Sequence, residues 1–87
     1  MKIKFNDKAK KDLEHHRKSG KKALIKKIFD LIKAIQKTPY IGIGKPEALK
    51  YELSGFWSRR ITKEHRIVYK VFEEEDFVEI YSLKDHY

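Results

Sequence analysis

The apolar residues change their spacing part-way along this chain, and that change restricts the fold more than any other feature. Leu24, Ile25, Ile28, Phe29, Ile32 and Ile35 recur with a period of about 3.6, the stripe of an amphipathic helix. Beyond residue 49 apolar and polar residues alternate, which places successive side chains on opposite faces of a strand. A chain with helix periodicity first and strand periodicity afterwards reads as α+β, with helices on one face of a sheet. The spacing predicts four antiparallel strands at Lys50–Leu53, Phe56–Thr62, His65–Phe72 and Phe77–Leu83, turning at Ser54-Gly55, Lys63-Glu64 and Glu73–Asp76. Ahead of them, Lys2–Phe5 alternates as a short edge strand, and Asn6 or Asp7 offers an N-cap to a first helix carrying Ala9, Leu13 and His16 on one stripe. Ser19-Gly20 ends that helix and Thr38-Pro39 ends the second, so the two form an αα-hairpin. The expected architecture is a helix hairpin packed on one face of a small, mainly antiparallel twisted sheet, within one domain spanning 1–87. The opposite face is left as an open platform.

Composition narrows the function classes. Eighty-seven residues leave room for one small core, and 5 Phe, 5 Tyr and one Trp give it large buried area per side chain. Cys is absent, which excludes a disulfide framework, a thiolate zinc site and a cysteine nucleophile. No apolar run exceeds three residues, so neither a membrane span nor a signal-peptide core is expected, and a cytoplasmic location follows. Residues 1–45 hold 14 Lys/Arg against 4 Asp/Glu, whereas residues 46–87 hold 7 against 9. A basic first half is the electrostatic footprint of a polyanion binder, though a Lys-rich solvated helix face has the same composition. The acidic run Glu73–Asp76 reads as a hairpin tip.

Both prolines and two of the four glycines fall in residues 38–49, a segment too long and too punctuated for a mere connection. It carries Glu47, with Lys50 three residues on. Arg60 and Arg66 lie on neighbouring strands, and the chain ends His86-Tyr87. A base, an acid and several cations are what RNA transesterification needs. The base takes the 2′-hydroxyl proton, the acid protonates the 5′-oxygen leaving group, and planar guanidinium forks match the phosphate oxygens. No metal or other cofactor is required. A two-residue turn at Lys63-Glu64 would send Arg60 and Arg66 to opposite faces, whereas a three-residue turn or a bulge would place them directly opposite each other. Each residue also has a plain structural reading. Glu47 after Pro46 would open a helical turn, Arg59 and Arg60 would be edge-strand charges, and His86 would be an exposed terminal histidine. Phe56, Trp57 and Tyr69 read as core. His15, His16 and His65 lack a recognisable metal-ligand spacing, so no metal site is expected.

The string TPYIGIGKPEALKYELSGFWSRRITKEHRIVY at residues 38–69, together with the terminal HY, closely resembles the Txe/YoeB family of bacterial toxins, within the RelE/ParE superfamily. The resemblance implies a toxin of a type II toxin–antitoxin pair, a ribosome-dependent endoribonuclease that cuts mRNA in the ribosomal A site. It implies Glu47 as general base, His86 as general acid, Arg66 as the group stabilising the phosphorane, Arg60 and Lys50 as phosphate-binding groups, and Tyr87 packing beside the scissile nucleotide. Its implied partners are the ribosome and its rRNA, mRNA, a YefM-like antitoxin, a second copy in a homodimer, and operator DNA through the antitoxin complex alone. Asp85 departs from the family pattern, in which an Arg or Lys with an aromatic commonly precedes the terminal HY. Two rival readings follow from the same residues: a ParE-like inhibitor of DNA gyrase, and a non-catalytic basic nucleic-acid-binding module.

Overall fold

A computed structural model describes residues 1–84 of the chain. The elements run β1 (Lys2–Phe5), α1 (Asp7–Lys18), α2 (Lys22–Lys37), β2 (Glu47–Ala48), a one-turn 3-10 helix (Tyr51–Leu53), β3 (Trp57–Arg60), β4 (Arg66–Phe72) and β5 (Phe77–Ser82). Asn6 caps α1, its side-chain oxygen accepting from the Ala9 N–H at 2.9 Å. In α2, Leu24, Ile28, Leu31, Ile32 and Ile35 are buried, whereas Phe29 is exposed. Leu31, outside the expected stripe, completes the i, i+3, i+4 face that packs on Ile67, Tyr69, Val78, Ile80 and Leu83 in one core. Each fully buried Ile or Leu of this layer contributes about 1.5–3 kcal/mol relative to exposure.

The fold is α+β and the sheet mainly antiparallel, as expected, with strand order β1-β5-β4-β3-β2 and one parallel pair. β1 is an edge strand, and it runs parallel to β5. The α1–α2 hairpin carries the chain from one edge of the sheet to the other, so β1 and β5 meet in the same direction. Two expectations change. Lys50–Leu53 is not a strand, because Tyr51 is 90% exposed and Leu53 is only half-buried, so no apolar face pulls this stretch into the sheet. Instead it tightens into the 3-10 turn, with Leu53 N–H bonded to the Lys50 carbonyl and Ser54 N–H to the Tyr51 carbonyl. The outermost strand is β2, inside the punctuated segment, so Glu47 opens no helical turn. The turn after β3 spans 61–65 rather than two residues, with the N–H groups of Ile61 and Thr62 both donating to the His65 carbonyl. Glu73–Asp76 forms the exposed β4–β5 tip as expected.

Candidate nucleic-acid cleavage face

The longer turn decides which way the arginines face. Register across β3 and β4 pairs Trp57 with Tyr69, Ser58 with Val68, Arg59 with Ile67 and Arg60 with Arg66. Trp57 and Arg59 therefore share the helix-covered face, while Ser58, Arg60 and Arg66 share the open one. Arg66 Nη1 donates to Ser58 Oγ at 3.4 Å, a contact possible only on a common face. On the next strand Glu47 pairs with Ser58, which brings the carboxylate onto the same face, about two residues along the sheet from Arg60.

Two hollows open there. One, of about 510 Å³, is lined by Glu47, Ala48, Leu49, Lys50, Tyr51 and Leu53. The other, of about 280 Å³, is lined by Arg60, Thr62, Lys63 and Arg66. Ser58 stands between them by register. Four of the six expected site residues line these two hollows, Glu47 and Lys50 the one, Arg60 and Arg66 the other. His86 and Tyr87 lie outside the described residues. Leu83, three positions earlier, is anchored: its N–H donates to Asp12 Oδ2 at 2.9 Å, and its carbonyl accepts from His16 Nε2 at 2.8 Å. The histidine rings of residues 15, 16 and 65 do approach one another, at centroid distances of 5.6 Å and 4.9 Å. Among the described residues no trio of His, Asp and Glu is arranged to hold a metal ion.

Sequence reasoning passes over Arg59, which is not an edge-strand charge but wholly buried. Its Nε donates to Tyr69 Oη at 3.2 Å and its Nη1 to the Ile43 carbonyl at 3.1 Å, while Nη2 donates to the carbonyls of Thr38 and Ile41. Tyr69 Oη in turn donates to the Pro39 carbonyl at 2.6 Å. Burial raises the Tyr69 hydroxyl's pKa, and the bond from Arg59 partly offsets that rise. The signal lies in the register: once Arg60 faces out, Arg59 must face the core, where a cation needs acceptors, and the neighbouring glycine-bearing segment offers carbonyls. Tyr40, on that segment, packs on Trp57 at 4.9 Å and donates to Glu73 Oε1 at 2.6 Å. The bond to the Glu73 carboxylate, with some burial, pushes its hydroxyl up to about 12.

Known proteins resemble this chain in sequence and in fold. Residues 5–87 match the model of a family described as the YoeB-like toxin of bacterial type II toxin–antitoxin systems. The chain is 47% identical to a toxin YoeB of Synechocystis sp. over 87 residues, covering 100% of this chain and 98% of that one. Among solved structures it resembles a YoeB/ParE toxin from Agrobacterium tumefaciens, with a TM-score of 0.94, 39% identity and all of both chains covered. It also resembles a chain of a heterotetrameric YoeB–YefM toxin–antitoxin complex from Staphylococcus aureus, at a TM-score of 0.86 and 41% identity, covering 100% of this chain and 98% of that one. The chain belongs to the YoeB-like family, and is a toxin of a bacterial type II toxin–antitoxin system.

Proposed function

We propose that this toxin is a ribosome-dependent endoribonuclease that cleaves mRNA in the ribosomal A site by general acid–base chemistry. The observation that carries the reading is the common face of Glu47, Arg60 and Arg66, set by the Arg60–Arg66 register and the Ser58 bridge. Glu47 takes the proton of the RNA 2′-hydroxyl, and that oxygen attacks the adjacent phosphorus. Arg66, supported by Arg60 and Lys50, holds the extra negative charge of the five-coordinate phosphorane. His86 gives a proton to the departing 5′-oxygen, and Tyr87 packs against the scissile nucleotide. The products are a 2′,3′-cyclic phosphate and a 5′-hydroxyl end. Proton transfers and charge stabilisation supply the chemistry, so the reaction asks for no metal ion.

Substrate and partners follow from the same reading. A third hollow, lined by Lys21, Lys22, Leu24, Lys27, Ile61 and Thr62 among others, shares Thr62 with the arginine hollow. Positive charge therefore continues from the cleavage face to the start of α2, where ribosomal RNA would be gripped. The action at the ribosome sets a cytoplasmic site of work. A YefM-like antitoxin is the partner this reading takes from the Staphylococcus aureus complex. The experiment is cleavage on programmed ribosomes beside a ribosome-pelleting assay. Glu47→Ala should slow cleavage by about 10²–10⁴-fold, equivalent to roughly 3–5 kcal/mol of barrier, while still pelleting with ribosomes. Loss of pelleting with Glu47→Ala, or unimpaired cleavage by it, would sink the catalytic assignment.

A further inference from the structure

We infer that Arg59 and Tyr69 are positioning residues that fix the Glu47 carboxylate by clamping residues 38–44 to the sheet; this rests on the reading of Glu47 as general base. The strand that holds Glu47 cannot fix it unaided. β2 has two residues, lies at the sheet edge and makes two register pairs. Just upstream, Lys45 has φ 51, a left-handed conformation that an L side chain keeps only where its surroundings enforce it. The position of Glu47 is therefore set by how the preceding segment is held.

Beside the Tyr40 contacts to Trp57 and Glu73, two side chains from the sheet take four backbone carbonyls of that segment. Arg59 takes the carbonyls of Thr38, Ile41 and Ile43, and Tyr69 takes that of Pro39. Nε of Arg59 then donates to Tyr69 Oη, so the two side chains act as one unit. The clamp ends at Gly44, whose carbonyl accepts the Arg60 N–H at 2.7 Å. A Cβ at Gly44 would lie 2.7 Å from Leu31 Cδ2 and 3.1 Å from Arg59 Cβ, at φ +83, so the chain passes directly over the Arg59 stem with no slack. From that fixed point only Lys45 and Pro46 separate the clamp from Glu47.

The chemistry of Arg59 argues for this role over plain packing. Its hydrogen-bond partners are all neutral oxygens, and no carboxylate forms an ion pair with it among the described residues. A buried cation whose partners among the described residues are all neutral is costly to desolvate, and the carbonyls it gathers are what offset that cost. What the guanidinium adds is a rigid planar fork able to reach several carbonyls at once. Lysine has a single rotatable ammonium and cannot reproduce that fork.

The test measures kcat and KM for A-site cleavage by wild type, Arg59→Lys, Tyr69→Phe and Glu47→Ala, and by each clamp variant combined with Glu47→Ala, all as full-length chains. Displacement of a reacting group by about 1 Å costs on the order of 10²-fold, so Arg59→Lys should lower kcat by about 10–100-fold and Tyr69→Phe by about 3–10-fold. KM should stay close to the wild-type value. In the Glu47→Ala background neither substitution should lower kcat further, because the group they position is gone. A full additional loss in that background, or a rise in KM in place of a fall in kcat, would overturn the inference. Tyr69→Phe carries the test alone if Arg59→Lys does not fold. Clamp variants that cleave like wild type beside a defective Glu47→Ala refute the clamp only. Wild-type cleavage by Glu47→Ala refutes the reading of Glu47 itself.

Discussion

Arg60 on β3 stands directly opposite Arg66 on β4, so two guanidinium groups share one pair position of the sheet. Like charges placed directly opposite destabilise a sheet by roughly 0.2–1 kcal/mol. A pair that works against the fold in this way is suited to a site that must hold a doubly charged phosphorane. Arg60→Gln should therefore raise unfolding free energy by up to about 1 kcal/mol while slowing cleavage at least tenfold. Urea denaturation and single-turnover cleavage on the same preparation check both halves, and a variant both less stable and fully active would contradict the assignment.

The hollow that joins Lys21, Lys22 and Lys27 to Thr62 makes a separate prediction about binding. Replacing the three lysines by glutamine should weaken ribosome association and flatten its dependence on salt by roughly 0.7–0.9 in the log–log slope for each phosphate that is no longer neutralised. The rate on saturated ribosomes should hardly change. An unchanged salt slope would place the RNA elsewhere on the molecule.

Asp12 is buried on α1 and accepts from both the Leu83 N–H and Lys8 Nζ, at 2.9 Å and 2.8 Å. Asp12→Ala leaves the buried N–H without an acceptor and should cost about 1–3 kcal/mol, several degrees in Tm for a chain of this size. Asp12→Asn keeps an acceptor oxygen and should cost less. Lys8→Gln removes only the exposed half of the ion pair, worth less than about 1 kcal/mol. Calorimetry on the three variants gives the order, and an equal loss for all three would assign the stabilisation to the ion pair instead.

Tyr40 gives a prediction in alkaline solution. Its bond to Glu73 pushes its hydroxyl up to about 12 from an ordinary 10.0, so the folded state favours the neutral phenol. The stabilisation is fully present below pH 10 and is lost as pH rises towards about 12. Because the ring is partly solvent-exposed, screening limits the contribution to about 1 kcal/mol or less. Tyr40→Phe should be less stable than wild type at pH 8, with the gap closing between pH 10 and 12 in paired denaturation curves. A gap independent of pH would mean the hydroxyl contributes through packing alone.

The helices are legible in the sequence because α2 has an apolar stripe long enough to identify, and Asn6 and Thr38-Pro39 mark boundaries by local chemistry. The strands from β3 onward are legible for the same reason, through their alternation. What local pattern does not carry is pairing. The parallel partner of β1 depends on where the helix hairpin delivers the chain, and the Arg60–Arg66 register depends on a five-residue turn that Lys63-Glu64 alone does not announce. Arg59 escapes a local reading because an arginine beside another arginine looks like surface charge until the register sends one of them inward. The 3-10 turn at Tyr51–Leu53 escapes it because four alternating residues mimic a strand when nothing shows that Tyr51 has no face to bury.

The central claim, attack by the RNA 2′-oxygen under Glu47, is tested most directly by changing that oxygen. Ribosomes are programmed with an mRNA carrying a single 2′-deoxynucleotide at the scissile position of the A-site codon, and cleavage is mapped by primer extension against the all-ribose message. The account predicts a discrete A-site cut with a 5′-hydroxyl end on the ribose message and none at the deoxy position, with ribosome binding unchanged. A cut at the deoxy position would contradict the mechanism. Intact RNA of both kinds on verified, programmed ribosomes would contradict the nuclease reading as a whole and favour a toxin that acts by binding.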